Sequence, residues 1–171
     1  LPDVKRVIER NKAPLIVAKP LVESQHIRTL LDNIENSRAL WMYRNYRGVA
    51  LSNMKKFDVD AGIKNLLPIV EQQEGNWRSE NVSGEVRAVV RKFFAPDMDP
   101  YDASALFWWV RNRLFFELNL ADDPRVRMCR YEDLVSDPKP MMRGIHDFLG
   151  VPYPGDQVFA EVHAASKTKG Q

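Results

Sequence analysis

Arg44 and Ser52 are the residues of this chain whose types and spacing most directly suggest chemistry. They sit in Ala39-Leu40-Trp41-Met42-Tyr43-Arg44-Asn45-Tyr46-Arg47-Gly48-Val49-Ala50-Leu51-Ser52, whose first five residues are apolar. That run has the composition of a short strand buried in a parallel sheet, and a helical pattern begins near Asn45 or Tyr46. A strand therefore hands over to a helix at Arg44. In open α/β sheets ligands bind beyond the carboxyl ends of the strands, where a helix N-terminus offers unpaired N–H groups and the positive end of a dipole. Ser52 lies about two helical turns further on. A guanidinium fork and a hydroxyl can then meet on one phosphate, provided the chain bends suitably between them.

Other chemistries find less support. Cys129 is the one cysteine, which excludes an internal disulfide and a cysteine-rich metal site and suits a reducing, cytoplasmic setting. His146 and His163 have no metal-ligand spacing with each other or with acidic pairs, so no metal is expected. The Gly-x-x-x-x-Gly spacing from Gly150 to Gly155 is followed by Asp156, contains two prolines and comes after a helix, so it is not a phosphate loop. Lys and Arg number 25 against 23 Asp and Glu, interspersed rather than blocked, which argues against a nucleic-acid partner. No run approaches the roughly 18 apolar residues of a membrane span, and the start carries no signal-peptide pattern. Asn81-Val82-Ser83 fits a glycosylation sequon that nothing else accompanies.

The elements that must position Arg44 and Ser52 follow from periodicity. With 171 residues, 44% of them apolar, the chain suits a single domain with a substantial core. Pro2 to Asn11 reads as a short amphipathic helix ended by Pro14, and Leu15-Ile16-Val17-Ala18 as a brief buried strand stopping at Lys19-Pro20. Ser24 is placed to cap a helix carrying Ile27, Leu30, Leu31 and Ile34. Strand, helix, strand, helix with short connections is the signature of a parallel sheet. From Val59 to Phe94 the pattern gives two or three helices, broken near Pro68 and again over 75–84. A long helix over 102–119 follows the 95–100 loop. Its Trp108, Trp109, Phe115 and Phe116 read as an aromatic face packed on the sheet rather than a ligand box. Residues 125–130 form a third strand, and a helix over 138–149 ends at Gly150 as its C-terminal cap.

Two segments carry a family resemblance. The stretch from Trp41 to Ser52 is similar to the one by which sulfotransferases that use 3′-phosphoadenosine 5′-phosphosulfate hold the 3′-phosphate of that donor, with an Arg and a Ser at the places of Arg44 and Ser52. Arg130-Tyr131-Glu132-Asp133-Leu134-Val135-Ser136-Asp137-Pro138, followed by His146-Asp147-Phe148-Leu149-Gly150-Val151-Pro152-Tyr153, resembles the family's Tyr-Glu-Asp-Leu segment and the helix ending in Phe-Leu-Gly. The resemblance covers the chain from about Leu15 to about Tyr153. It implies an α/β fold related to the P-loop kinases, with a short parallel sheet flanked by helices. It also implies that Tyr131 meets the adenine.

At the end of the first strand, cytosolic members carry Lys-Thr-His, with the His as general base. Here Lys19-Pro20-Leu21 stands there, so Lys19 matches and the His does not. Glu23, of the residue type other branches use, and His26 are the candidate bases; Lys19 and Glu23 are the expected catalytic pair. Arg47 is a further phosphate candidate, with a helix salt bridge as its other reading. Residues 166–170 are the possible beginning of the basic segment that closes the family's phosphate site. The family's phosphosulfate-gripping loop, which belongs between the first strand and helix, has no counterpart. The expectation is that the chain lacks that strand-loop-helix, Leu1 not being a Met.

The expected function is transfer of a sulfuryl group from 3′-phosphoadenosine 5′-phosphosulfate to a hydroxyl or amine of a small-molecule, glycan or peptide acceptor, with no metal and no membrane or nucleic-acid partner. Two alternatives stay open: a non-catalytic nucleotide-binding or interaction domain of the same fold, and a P-loop phosphotransferase, whose Walker Lys and magnesium Asp are not visible.

Overall fold

The computed structural model describes residues 6, 10, 11, 13, 15–19 and 22–156. Their order is a 3-10 turn (Ser24–His26), α1 (Ile27–Asn33), β1 (Ala39–Tyr43), α2 (Tyr46–Lys56), α3 (Ala61–Val70), α4 (Gly84–Phe93), α5 (Pro100–Glu117), a second 3-10 turn (Leu120–Asp122), β2 (Val126–Arg130), α6 (Tyr131–Ser136) and α7 (Pro138–Leu149). β1 and β2 pair in parallel, Ala39 beside Val126 and Tyr43 beside Arg130. Four helices lie in the crossover between them. Because side chains alternate along a strand, Trp41 and Tyr43 reach α5 through Phe115 and Trp108, while Arg127, on the other face, donates to the Gly144 carbonyl of α7. Helices thus cover both faces of a short parallel sheet, the α/β architecture expected.

α5 is the hub, and local sequence sets its ends. Asp99 Oδ1 accepts the N–H groups of Tyr101 and Asp102 at 2.8 and 3.3 Å, with Pro100 in the first helical position, a strong start signal. The helix therefore begins two residues before the periodicity suggested, and it ends at Glu117, short of Asn119, which is left-handed at φ 49°. Leu66, Ile69, Val82, Val86, Val90, Ala103, Phe107 and Val110 form the main core. α3 meets α5 at Gly62, where a Cβ would collide with the backbone of Ala103 and Ser104. Ser83 caps α4, its Oγ accepting from Val86 N at 3.2 Å and donating to Glu117 at 2.6 Å. Gly150, at φ 69°, closes α7 with the paired bonds Gly150 N–H to Asp147 and Val151 N–H to His146, each 3.1 Å, the left-handed cap expected there. Arg125 ties α1 to the second 3-10 turn by bonds of 2.8 Å to Asp32 and to Asp123. Hydrogen bonds from Arg125 hold the Asp123 carboxyl down at about 2.

Three expectations are corrected. Residues 15–18 are not a strand, and Val17 is 80% exposed. An apolar run has strand composition, but a strand exists through its ladder partners, and the described sheet contains β1 and β2 alone. α3 runs through Pro68 instead of breaking there: the lost hydrogen bond falls near the end of the helix, and Pro68 is buried beside Leu66 and Ile69, which offsets it. Ser24 caps nothing. The N-cap position of α1 is His26, without a side-chain cap, and the Ser24 hydroxyl instead accepts from Arg111. Of the 2–11 helix, Arg6 and Arg10 are helical; most of that segment and all of 166–170 lie outside the described residues.

Candidate functional site

Register brings the two sequence segments together. Tyr43 and Arg130 are paired at the carboxyl ends of β1 and β2, so the next residue of each strand, Arg44 and Tyr131, emerges at the same edge. The Arg44 guanidinium lies over the Tyr131 ring, 4.4 Å from its centroid. Gly48, in the first turn of α2, is also close, and a Cβ there would stand 3.2 Å from Arg44 Nη2 and 3.3 Å from Nε. The guanidinium thus rests on an aromatic face and beside a bare glycine. It has no hydrogen-bond or ion-pair partner among the described residues. A half-buried cation left without a counter-charge at a sheet edge is the arrangement that receives an anion.

α2 adds to the same corner. The Asn45 side chain accepts from Arg47 N–H at 2.9 Å, and the first helical bond is Val49 N–H to the Asn45 carbonyl. Ser52 is half-buried one turn beyond Gly48, on the same side of the helix by its four-residue spacing. Its hydroxyl has no partner among the described residues. Arg47 is exposed and lies over the Tyr46 ring, its Nε 3.3 Å from Tyr46 Oη, so the helix salt bridge considered for it is not formed among the described residues.

Lys19 and Glu23 are exposed, and their side chains make no hydrogen bond, ion pair or ring contact with Arg44, Ser52 or Tyr131 among the described residues. The Glu23 backbone carbonyl accepts from His26 N–H at 2.9 Å, and His26 Nε2 lies 3.0 Å from Glu80 Oε2. Beside them Arg111 packs under Trp77, 5.1 Å from the ring centroid, and donates to Gln25 Oε1 at 2.8 Å. Burial, with the neighbouring Arg78 charge, pushes Arg111 down to about 10. No group of His, Cys, Asp and Glu able to hold a metal occurs among the described residues. No described helix is long and apolar enough to cross a membrane.

Three contributors went unread in the sequence. Gly48 makes room for the guanidinium. Trp108 donates its indole N–H to the Arg44 carbonyl at 2.9 Å, and Glu132 Oε1 accepts from Asn45 N–H at 2.9 Å. A Trp on a sheet-packed helix does signal that its N–H must find an acceptor; nothing in the sequence says which.

Fold and corner define an α/β protein with an uncompensated guanidinium at the carboxyl edge of a parallel sheet. Comparison with protein families makes this specific: residues 19–170 match the sulfotransferase domain, and the chain belongs to that family. The resemblance seen in the segments around Arg44 and Tyr131 is borne out. Among solved structures it is similar to the sulfotransferase domain from the curacin biosynthetic pathway, with a TM-score of 0.54 and 24% identity over 96% of this chain and 52% of that one. The chain thus spans about half the length of that structure, and the likeness is one of fold. No curated protein matches the chain in sequence.

Proposed function

We propose that the chain is the nucleotide-holding part of a sulfotransferase that takes its sulfuryl group from 3′-phosphoadenosine 5′-phosphosulfate. The observation that carries this reading is the Arg44 guanidinium, uncompensated, over the Tyr131 ring and beside Gly48. The residues fit the donor's 3′-phosphate and base. Arg44 supplies a charged fork, Ser52 a hydroxyl donor and Tyr131 an aromatic face for the adenine, and the first turn of α2 adds N–H dipoles. When bound, the donor supplies the reactive sulfur on a phosphosulfate anhydride. Lys19 serves to neutralise charge on the transferring group, and Glu23 to take the proton of the acceptor hydroxyl or amine. The acceptor is a small molecule, a glycan or a peptide. The buried free thiol of Cys129 suits a cytoplasmic setting.

The test is calorimetric titration with 3′-phosphoadenosine 5′-phosphate and with 5′-AMP, which lacks the 3′-phosphate. The bisphosphate should bind more tightly, and Arg44→Ala should remove mainly that preference, by about 1.5–3 kcal/mol. Equal binding of both nucleotides by the unmodified chain would contradict the proposal.

A further inference from the structure

One peptide unit in the corner is held from two sides. The Arg44–Asn45 peptide leaves β1 before α2 has begun, so neither its C=O nor its N–H has a place in a strand ladder or a helix. Each is taken by a side chain from elsewhere. Trp108 of α5 donates Nε1–H to the Arg44 carbonyl, and Glu132 of α6 accepts the Asn45 N–H, both at 2.9 Å. The indole is itself fixed by edge and tilted contacts with Tyr43 and Tyr46, at 5.5 and 5.9 Å between centroids. The second oxygen of the half-buried Glu132, Oε2, makes no hydrogen bond but is ion-paired with Arg130, 3.4 Å from its Nε. Anchored in this way, the carboxylate secures one backbone N–H, adjacent to the residue with the uncompensated charge.

We propose that Trp108 and Glu132 are positioning residues for the anion site. By clamping the Arg44–Asn45 peptide they set the direction in which the Arg44 side chain leaves the backbone, and so keep its guanidinium over the Tyr131 ring and beside Gly48. The inference rests on the reading of the corner as a 3′-phosphate site. Neither residue needs to touch the nucleotide. Small angular errors at the Cα grow along a side chain as long as arginine's, and misplacement of a positioned group by about 1 Å is felt strongly in binding and rate.

The experiment is the same pair of titrations on Trp108→Phe, Glu132→Ala and Glu132→Gln, with a thermal melt of each. Trp108→Phe keeps an aromatic ring and loses the N–H, while Glu132→Gln keeps an acceptor for Asn45 N–H. Trp108→Phe and Glu132→Ala should each lower the ratio of bisphosphate to 5′-AMP affinity about three- to tenfold, with 5′-AMP affinity little changed; Glu132→Gln should keep most of the ratio. A ratio unchanged in Trp108→Phe and Glu132→Ala, whatever the melting temperatures do, would leave both residues with a role in folding alone and overturn the proposal. So would a Glu132→Gln loss as deep as that of Glu132→Ala, which would place the effect in the charge. The unmodified chain is titrated first, so that equal binding of the two nucleotides there identifies failure of the site reading itself, which takes this inference with it.

Discussion

Substituting Gly48 by Ala separates binding from stability. The added Cβ would stand 3.2, 3.3 and 3.5 Å from Nη2, Nε and Cζ of Arg44, so the guanidinium must move by a few tenths of an ångström. Tyr131 blocks retreat in one direction, with its ring centroid 4.4 Å away. Moving costs the fold little, because no described hydrogen bond or ion pair holds that group, and part of a cation–π contact is worth about 0.5 kcal/mol. Against this, Ala in a helix gains about 0.5–1 kcal/mol over Gly. The two nearly cancel, and the melting temperature should stay within about 2–4 °C of the parent. Binding has no such compensation, since the displaced fork no longer meets the 3′-phosphate squarely. The preference for 3′-phosphoadenosine 5′-phosphate over 5′-AMP should fall by roughly 1–2 kcal/mol, about five- to thirtyfold. Calorimetry on both nucleotides, alongside a melt, reads the two effects separately. A Gly48→Ala variant that keeps the full preference would refute this corner as the place where the phosphate is held.

Other substitutions test the frame around the corner. Gly62→Ala should destabilise by about 1–3 kcal/mol in urea unfolding, because the obstructing atoms are the backbone of α5 and not a side-chain tip. Ser83→Ala should cost about 1–2 kcal/mol by the same assay, removing the α4 cap and the bond to Glu117. Asp123 contributes to acid stability with a definite sign. Its folded value of about 2 lies below the ordinary 3.8, so the unfolded chain takes up the proton first as pH falls. The stability that this carboxylate contributes is then fully present above the ordinary value and is lost as pH drops through the folded one. In Asp123→Asn that part of the acid dependence should be missing from urea midpoints measured across the window.

The corner was legible where local rules act alone. An apolar five-residue run, an Arg and the helical pattern beginning near Asn45 or Tyr46 marked the end of β1 and the start of α2 without reference to anything distant, and Gly150 announced the end of α7 in the same way. Residues 15–18 misled because composition reports burial, whereas a strand needs a partner. Pro68 misled because the rule against prolines in helices weighs less near a helix end packed into a core. Glu132 acts through register: only when Tyr43 pairs with Arg130 do Tyr131 and Glu132 come beside Arg44 and Asn45, while Trp108 reaches the Arg44 carbonyl through the packing of α5 on the sheet. No local pattern encodes the contact of Asn45 with Glu132, 87 residues away. Arg44 was readable as the end of a strand, whereas the ring, the glycine and the two hydrogen bonds that aim it were not.

The most direct test of the account is a crystal structure of the chain with 3′-phosphoadenosine 5′-phosphate. The 3′-phosphate should lie within hydrogen-bond distance of the Arg44 guanidinium and the Ser52 hydroxyl, with the adenine against Tyr131. A nucleotide bound with its 3′-phosphate in solvent, or held by cations elsewhere while Arg44 stays unpaired on Tyr131, would contradict the account.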